Sequence, residues 1–199
     1  MKKHNSLPAV LLILLFLICG CGQNPASSSN TIVITRQDSN YFMLSNGIKV
    51  YGARDFAQEM ADSMNLLGQK YLKGYNAVKL NLQSIVVSGE KPKDTYYAWV
   101  NPTLYIDAVF FQTNYVIDDI MNAGVLVHET THITDYKKYG SALSRIQMEL
   151  NAYSEERNAL RAIGARDEYI AGVTDVISSL ERGETKYTAA RYLPLPAGD

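Results

Sequence analysis

The alternation of apolar and polar positions divides the chain into a strand-rich first part and a helical second part. Residues 31–36 (Thr-Ile-Val-Ile-Thr-Arg) are dominated by β-branched side chains, which suit a pleated, half-buried surface. Residues 41–44 and 48–51 flank Ser45-Asn46-Gly47, a pattern that predicts a β-hairpin with an Asn-Gly turn. From 55 to about 71, Phe56, Met60, Met64, Leu67 and Tyr71 recur every three or four residues, which places them on one face of a helix. Two or three further strands are expected. One covers 78–87, where Val78, Leu80 and Leu82 alternate before Ile85, Val86 and Val87 shift the phase. The others cover 96–100, ending at Asn101-Pro102, and 103–111, where Leu104, Ile106, Ala108 and Phe110 alternate. One of these last strands is expected at the sheet edge, next to the functional site.

Beyond residue 112 the period becomes helical. Thr113 or Asn114 is placed to cap a helix carrying Val116, Ile117, Ile120 and Met121. Gly124 is either a break or a close-packing point. Helices are predicted over 125–139, stopped by Gly140, and over 141–163, stopped by Gly164. A last one over 167–182 carries Ile170, Val173, Val176, Ile177 and Leu180 on one face, followed by Gly183. The tail, with Pro194 and Pro196, is expected to be irregular. Strands first and helices second make an α+β fold: a mostly antiparallel sheet with a helix, then a helical half. There is no internal repeat.

The first thirty residues change the picture of where the chain works. Lys2 and Lys3 precede an apolar run over 7–18, interrupted only by Pro8 and too short to span a bilayer comfortably. Ile18-Cys19-Gly20-Cys21 follows and resembles the lipobox of bacterial lipoproteins. Gly20 supplies the small residue before the cut, so Cys21 is the expected lipidated residue. The expected organisation is a signal peptide over 1–20, a lipidated Cys21 with a small, polar tether to residue 30, and one domain over 31–199. Both cysteines of the chain lie at this boundary, so the domain must be held by its core without a disulfide. Gly22 gives no acidic retention signal, which fits an outer-membrane or cell-surface location.

With 199 residues, 47% apolar and 20% charged, the chain can bury a core of its own. Its formal charge of −1 and lack of a basic stripe argue against a nucleic-acid partner, and a monomer is expected.

Chemistry concentrates at His128-Glu129-Thr130-Thr131-His132. Residues four apart on a helix lie about 40° apart around the axis and about 6 Å apart along it. Two imidazoles at that offset can converge on one ion at about 2.0–2.1 Å each. Glu129 points to another side of the metal, where it can deprotonate a bound water without being a ligand. Of the three histidines, His4 falls in the signal, so the domain keeps only the motif pair. A zinc site of this kind needs a third protein ligand, and no His or Cys remains downstream, so a carboxylate must supply it. Glu149 is preferred: seventeen residues after His132 leave room for a turn near Gly140 and a second helix, on which small Ala152 permits close approach. Glu155 and Glu156 are its rivals.

His128 to His132 with Glu149 resembles the gluzincin metallopeptidases, the thermolysin-like clan of HExxH plus Glu, in its small single-domain form. The resemblance covers residues 125–156, including the run Thr131-His132-Ile133-Thr134-Asp135-Tyr136. It implies a zincin-like fold, with an HExxH helix and a glutamate helix, and a zinc metalloendopeptidase acting on peptide or protein substrates. It makes His128, His132 and Glu149 the zinc ligands and Glu129 the general base. The family places an Asp four residues after the ligand Glu to orient the first His; here that position is Tyr153, and Asp135 is the substitute considered. Tyr153 is also the nearest tyrosine to serve an oxyanion. The alternative expectation is a catalytically inactive zinc-binding lipoprotein that serves as an envelope binding or scaffold module.

Overall fold

The computed structural model describes residues 31–37, 41–88, 96–98, 102–107 and 119–184. The expected signal peptide, Cys21, the tether, the proposed caps Thr113 and Asn114, and the proline-containing tail lie outside them.

The chain order is β1 (Ile34–Arg36), β2 (Phe42–Leu44), β3 (Lys49–Tyr51), α1 (Arg54–Lys70), α2 (Leu72–Asn81), β4 (Ser84–Ser88), β5 (Tyr96–Ala98), β6 (Thr103–Asp107), α3 (Asp119–Tyr139), a 3-10 turn (Gly140–Ala142), α4 (Arg145–Ile163) and α5 (Asp167–Glu181). The fold is α+β. The strands form one six-stranded sheet in the order β1-β2-β3-β4-β6-β5. Among the described residues no helix is long and apolar enough to cross a membrane.

The β2–β3 hairpin forms where the turn chemistry predicts it, with a longer loop than a two-residue turn. Gly47 N donates to Leu44 O and Leu44 N donates to Ile48 O, so three residues make the connection. Gly47 alone takes a positive φ, of 94°, and Asn46 does not. This is the geometry in which glycine fills the left-handed position after a turn.

Three of the five strand pairings are antiparallel, β1–β2, β2–β3 and β5–β6, while β3–β4 and β4–β6 are parallel. The parallel centre follows from the two helices between β3 and β4, which bring the chain back to the same end of the sheet. The register lines up Val50, Ile85 and Leu104 across the three central strands, each completely buried. This apolar row belongs to the same core as Phe56, Met60 and Met64 of α1 and Leu126 and Val127 of α3.

Residues 78–83 are the main departure from the predicted elements. The strand expected from residue 78 begins only at Ser84, and 72–81 is helix α2. Val78 and Leu82 are buried but Leu80 is 79% exposed. The apparent alternation is therefore a helical i, i+4 spacing with an exposed leucine between. Tyr71, at φ −141° and ψ 67°, breaks α1 from α2. At Gly74 an added Cβ would lie 2.5 Å from Tyr71 Cδ1 and 2.8 Å from Val127 Cγ2, so only glycine lets α2 settle this closely on α3.

Gly124 proves to be a close-packing point. Helix α3 runs through it unbroken, and a Cβ there would meet Leu160 Cδ2 at 3.1 Å and Glu156 Cγ at 3.4 Å. The missing side chain lets α4 lie against α3. Helix α4 is defined at both ends: the Ser144 side chain accepts from Gln147 N, and Gly164 closes it in the left-handed conformation at φ 83°. Helix α5 packs on α4, and α3 lies among α1, α2 and α4.

A buried His-His-Glu cluster

The chemistry is carried by α3 and α4. Helix α3 is buried on nearly all sides: Leu126, Val127, His128, Glu129, Thr130, His132 and Ile133 are all at most 7% exposed. Such a helix holds polar side chains only where they have partners. Thr130 satisfies its hydroxyl locally, donating to Leu126 O at 2.7 Å. The two histidines instead face each other and α4.

His128 and His132 approach through their Nε2 atoms, 3.2 Å apart. Glu149 Oε2, from α4, lies 3.6 Å from His128 Nε2 and 3.8 Å from His132 Nε2. These three atoms form a group able to hold a metal ion, and all three residues are buried. Ligands about 2.0–2.1 Å from a tetrahedral centre stand about 3.3–3.5 Å from one another. The observed triangle is close to that spacing, slightly open on the glutamate side.

Glu156 completes the arrangement from two helical turns further along α4. Its Oε2 lies 2.9 Å from His128 Nδ1. A carboxylate only accepts hydrogen bonds, so Nδ1 donates, which leaves Nε2 as the nitrogen that would exchange its proton for a metal ion. Tyr153, between the two glutamates in sequence, packs its ring edge-on against the His128 imidazole, with centroids 4.4 Å apart and planes at 72°. His128 is thus fixed by a hydrogen bond at one edge and an aromatic ring at its side.

The electrostatics call for a cation. Burial would lower the His128 pKa, but its contacts with Glu149 and Glu156 outweigh this and hold it at about 10. Burial, and then the charge of His128, push His132 well below its ordinary value. Burial drives the Glu129 carboxyl up to about 7, partly offset by His128 and reinforced by Glu149 and Glu156. Glu129 is 5% exposed, and its Oε2 has no hydrogen-bond partner among the described residues. Three buried carboxylates around two imidazoles favour positive charge at their centre. The donor set therefore fits a divalent metal.

The three carboxylates considered for the third ligand separate cleanly. Glu149 stands with the histidines. Glu156 reaches the far nitrogen of His128, so it lies behind the imidazole and outside the ligand triangle. Glu155 points to α1 and α2 instead, accepting from Tyr71 Oη and from Lys73 Nζ, each at 2.7 Å. Asp135, the considered partner for the first histidine, accepts from Asn151 Nδ2 at 2.7 Å. The signal for Glu156 is its seven-residue offset from Glu149, which returns it to nearly the same helix face. Comparison with family models, with curated proteins and with solved structures gives no match to this chain.

Proposed function

We propose that this protein is a zinc-dependent metallopeptidase of the gluzincin type, with a zincin-like fold, held at a membrane as a lipoprotein through Cys21. The observation that carries the reading is Glu129. It is a buried carboxylate next to His128 in the chain, with one oxygen free of partners among the described residues and its pKa raised by burial. A purely structural metal site has no use for such a group, whereas hydrolysis needs a base within reach of the attacking water.

In this reading His128, His132 and Glu149 hold the metal, and Glu156 and Tyr153 keep the His128 ring in place. A bound zinc supplies Lewis acidity, polarising a substrate carbonyl and lowering the pKa of water toward about 7. Glu129 takes the proton from the attacking water and passes it to the departing amine. The dry surroundings strengthen each of these interactions. A peptide held in extended form along edge strand β5 would gain backbone hydrogen bonds there.

The test is Glu129→Gln. The variant should retain stoichiometric zinc and lose cleavage of a peptide library that the unaltered chain digests. Retained cleavage removes Glu129 from the base role. Zinc without cleavage in the unaltered chain would instead leave a zinc-bearing binding module.

A further inference from the structure

The described residues expose four large apolar side chains: Val33, Leu72, Leu80 and Tyr139. Leu72 and Leu80, 61% and 79% exposed, both belong to α2. At 100° per residue, Leu72, Lys73, Asn76, Lys79 and Leu80 fall within about 120° of arc, opposite the buried Gly74 and Val78. No Asp or Glu occurs anywhere in α2. Lys70 closes α1 immediately before it. At the other end of α2, Lys137 Nζ donates to Asn81 Oδ1 at 2.7 Å, which brings Lys138 and the exposed Tyr139 to the same end of the helix. Helix α5, packed on α4, differs: it carries Asp167, Glu168, Asp175 and Glu181 with no Lys or Arg within it, between the flanking Arg166 and Arg182.

We infer that this basic and apolar face of α2 lies on an anionic phospholipid surface, with Leu72 and Leu80 set among the headgroups and Lys70, Lys79 and Lys138 paired with phosphates, Lys73 being held by Glu155. Two features select a bilayer as the occupant. Leucines and lysines side by side on one solvent face can set the apolar side chains among lipid headgroups while the ammonium groups meet phosphates. The chain ahead of the domain also ends beside it. Ile32 N donates to Asn65 Oδ1 at 2.5 Å and Asn65 Nδ2 donates to Ile32 O at 3.2 Å, clamping that segment near the end of α1, seven residues before Leu72. From Cys21 to Thr31 the chain can reach about 33–36 Å, enough to bring α2 down onto the membrane. The inference rests on the proposed anchor only for the nearness of a bilayer; the face stands without it.

The test uses the chain as made by an exporting host, reconstituted with vesicles of phosphatidylcholine alone or with one part phosphatidylglycerol in three. Leu80→Trp reports local burial, through quenching by brominated lipid above the background of Trp99. A triple variant, Lys70→Gln, Lys79→Gln and Lys138→Gln, removes charge without touching the Lys73 and Lys137 contacts. The N-terminal segment should bind both vesicle types equally, so the face is read in the difference between them. The reporter should be quenched only on anionic vesicles. The triple variant should lose that difference, about a hundredfold in partitioning, with its zinc content unchanged and its helix content by circular dichroism retained. A vesicle-bound Leu80→Trp chain whose reporter is unquenched on anionic lipid overturns the proposal. So does a triple variant that keeps the full difference, or a face that ignores vesicles and binds polyglutamate, which would mark an acidic protein partner. Absence of lipid on Cys21 by mass spectrometry, with the reporter still quenched, removes the anchor and supports the face.

Discussion

Glu156 Oε2 sits 2.9 Å from Nδ1 of His128, and both residues are less than a tenth exposed. This contact holds the imidazole with Nε2 directed at His132 and Glu149. It also places a carboxylate on the first histidine from a position seven residues past the third donor.

Removing that contact should weaken metal binding without removing a donor atom. Glu156→Ala should lower zinc affinity about 10–100-fold. Glu156→Gln keeps an oxygen acceptor and should recover part of the loss. Chelator competition measures both, and equal affinities in all three proteins would exclude Glu156 from holding the ring.

Glu149 and Glu155 should respond in opposite ways. Glu149→Ala removes one of three donors and should reduce zinc affinity by orders of magnitude. Glu155→Ala removes the bridge to Tyr71 and Lys73 and should leave metal content intact. Metal analysis after gel filtration distinguishes them; the reverse pattern would move the ligand to Glu155.

Gly124→Ala probes the fit between α3 and α4. The new methyl would press on Leu160 Cδ2 at 3.1 Å and Glu156 Cγ at 3.4 Å. Overpacking at such a point costs about 1–3 kcal/mol, against about 1 kcal/mol gained from the helix preference of alanine over glycine, so a net loss is expected only if Leu160 cannot shift. Because one of the displaced groups is Glu156, zinc affinity should then fall along with the melting temperature. A stable variant with normal affinity would show that the helices can separate freely.

The Glu155 bridge gives stability a weak acid dependence. Burial pushes its carboxyl up, but hydrogen bonds from Lys73 and Tyr71 outweigh this and leave it below its ordinary value. A depressed folded-state pKa stabilises above the unfolded value, about 4.3, and that contribution is lost as pH falls through the folded one. Lys73 is 71% exposed, so solvent screening limits the effect to about 1 kcal/mol or less. Urea melts of the unaltered chain and Glu155→Gln should diverge at neutral pH and converge as the pH falls through the lowered folded-state value of Glu155. A constant difference across that range would exclude the ionised bridge.

The hairpin, α1, the last two helices and the histidine pair were legible because each rests on a local rule, whereas Glu149 is reached by elimination among three carboxylates. Asn46-Gly47 announces a turn; Phe56, Met60, Met64 and Leu67 repeat with the helix; His128 and His132 stand one turn apart. Helix α2 was hidden because Val78, Leu80 and Leu82 satisfy strand alternation equally well, and only the docking of Gly74 against Val127 decides between them. The part played by Glu156 was hidden for another reason. Sequence places it on the face of Glu149, but which nitrogen of His128 it meets depends on the depth of contact between α3 and α4, set by Gly124.

The candidate metal cluster is local in the chain. His128 and Glu156 are 28 positions apart, and the three candidate donors come from the single hairpin of α3 and α4. Among the described residues no strand contributes one. Release of the ion therefore requires only that α4 lift from α3, a partial opening that leaves the sheet intact. Metal should accordingly slow amide exchange in these two helices far more than in β3, β4 and β6. The ion would act as a clasp on one foldon, so metal supply would set how often this half of the molecule opens while the other half stays closed.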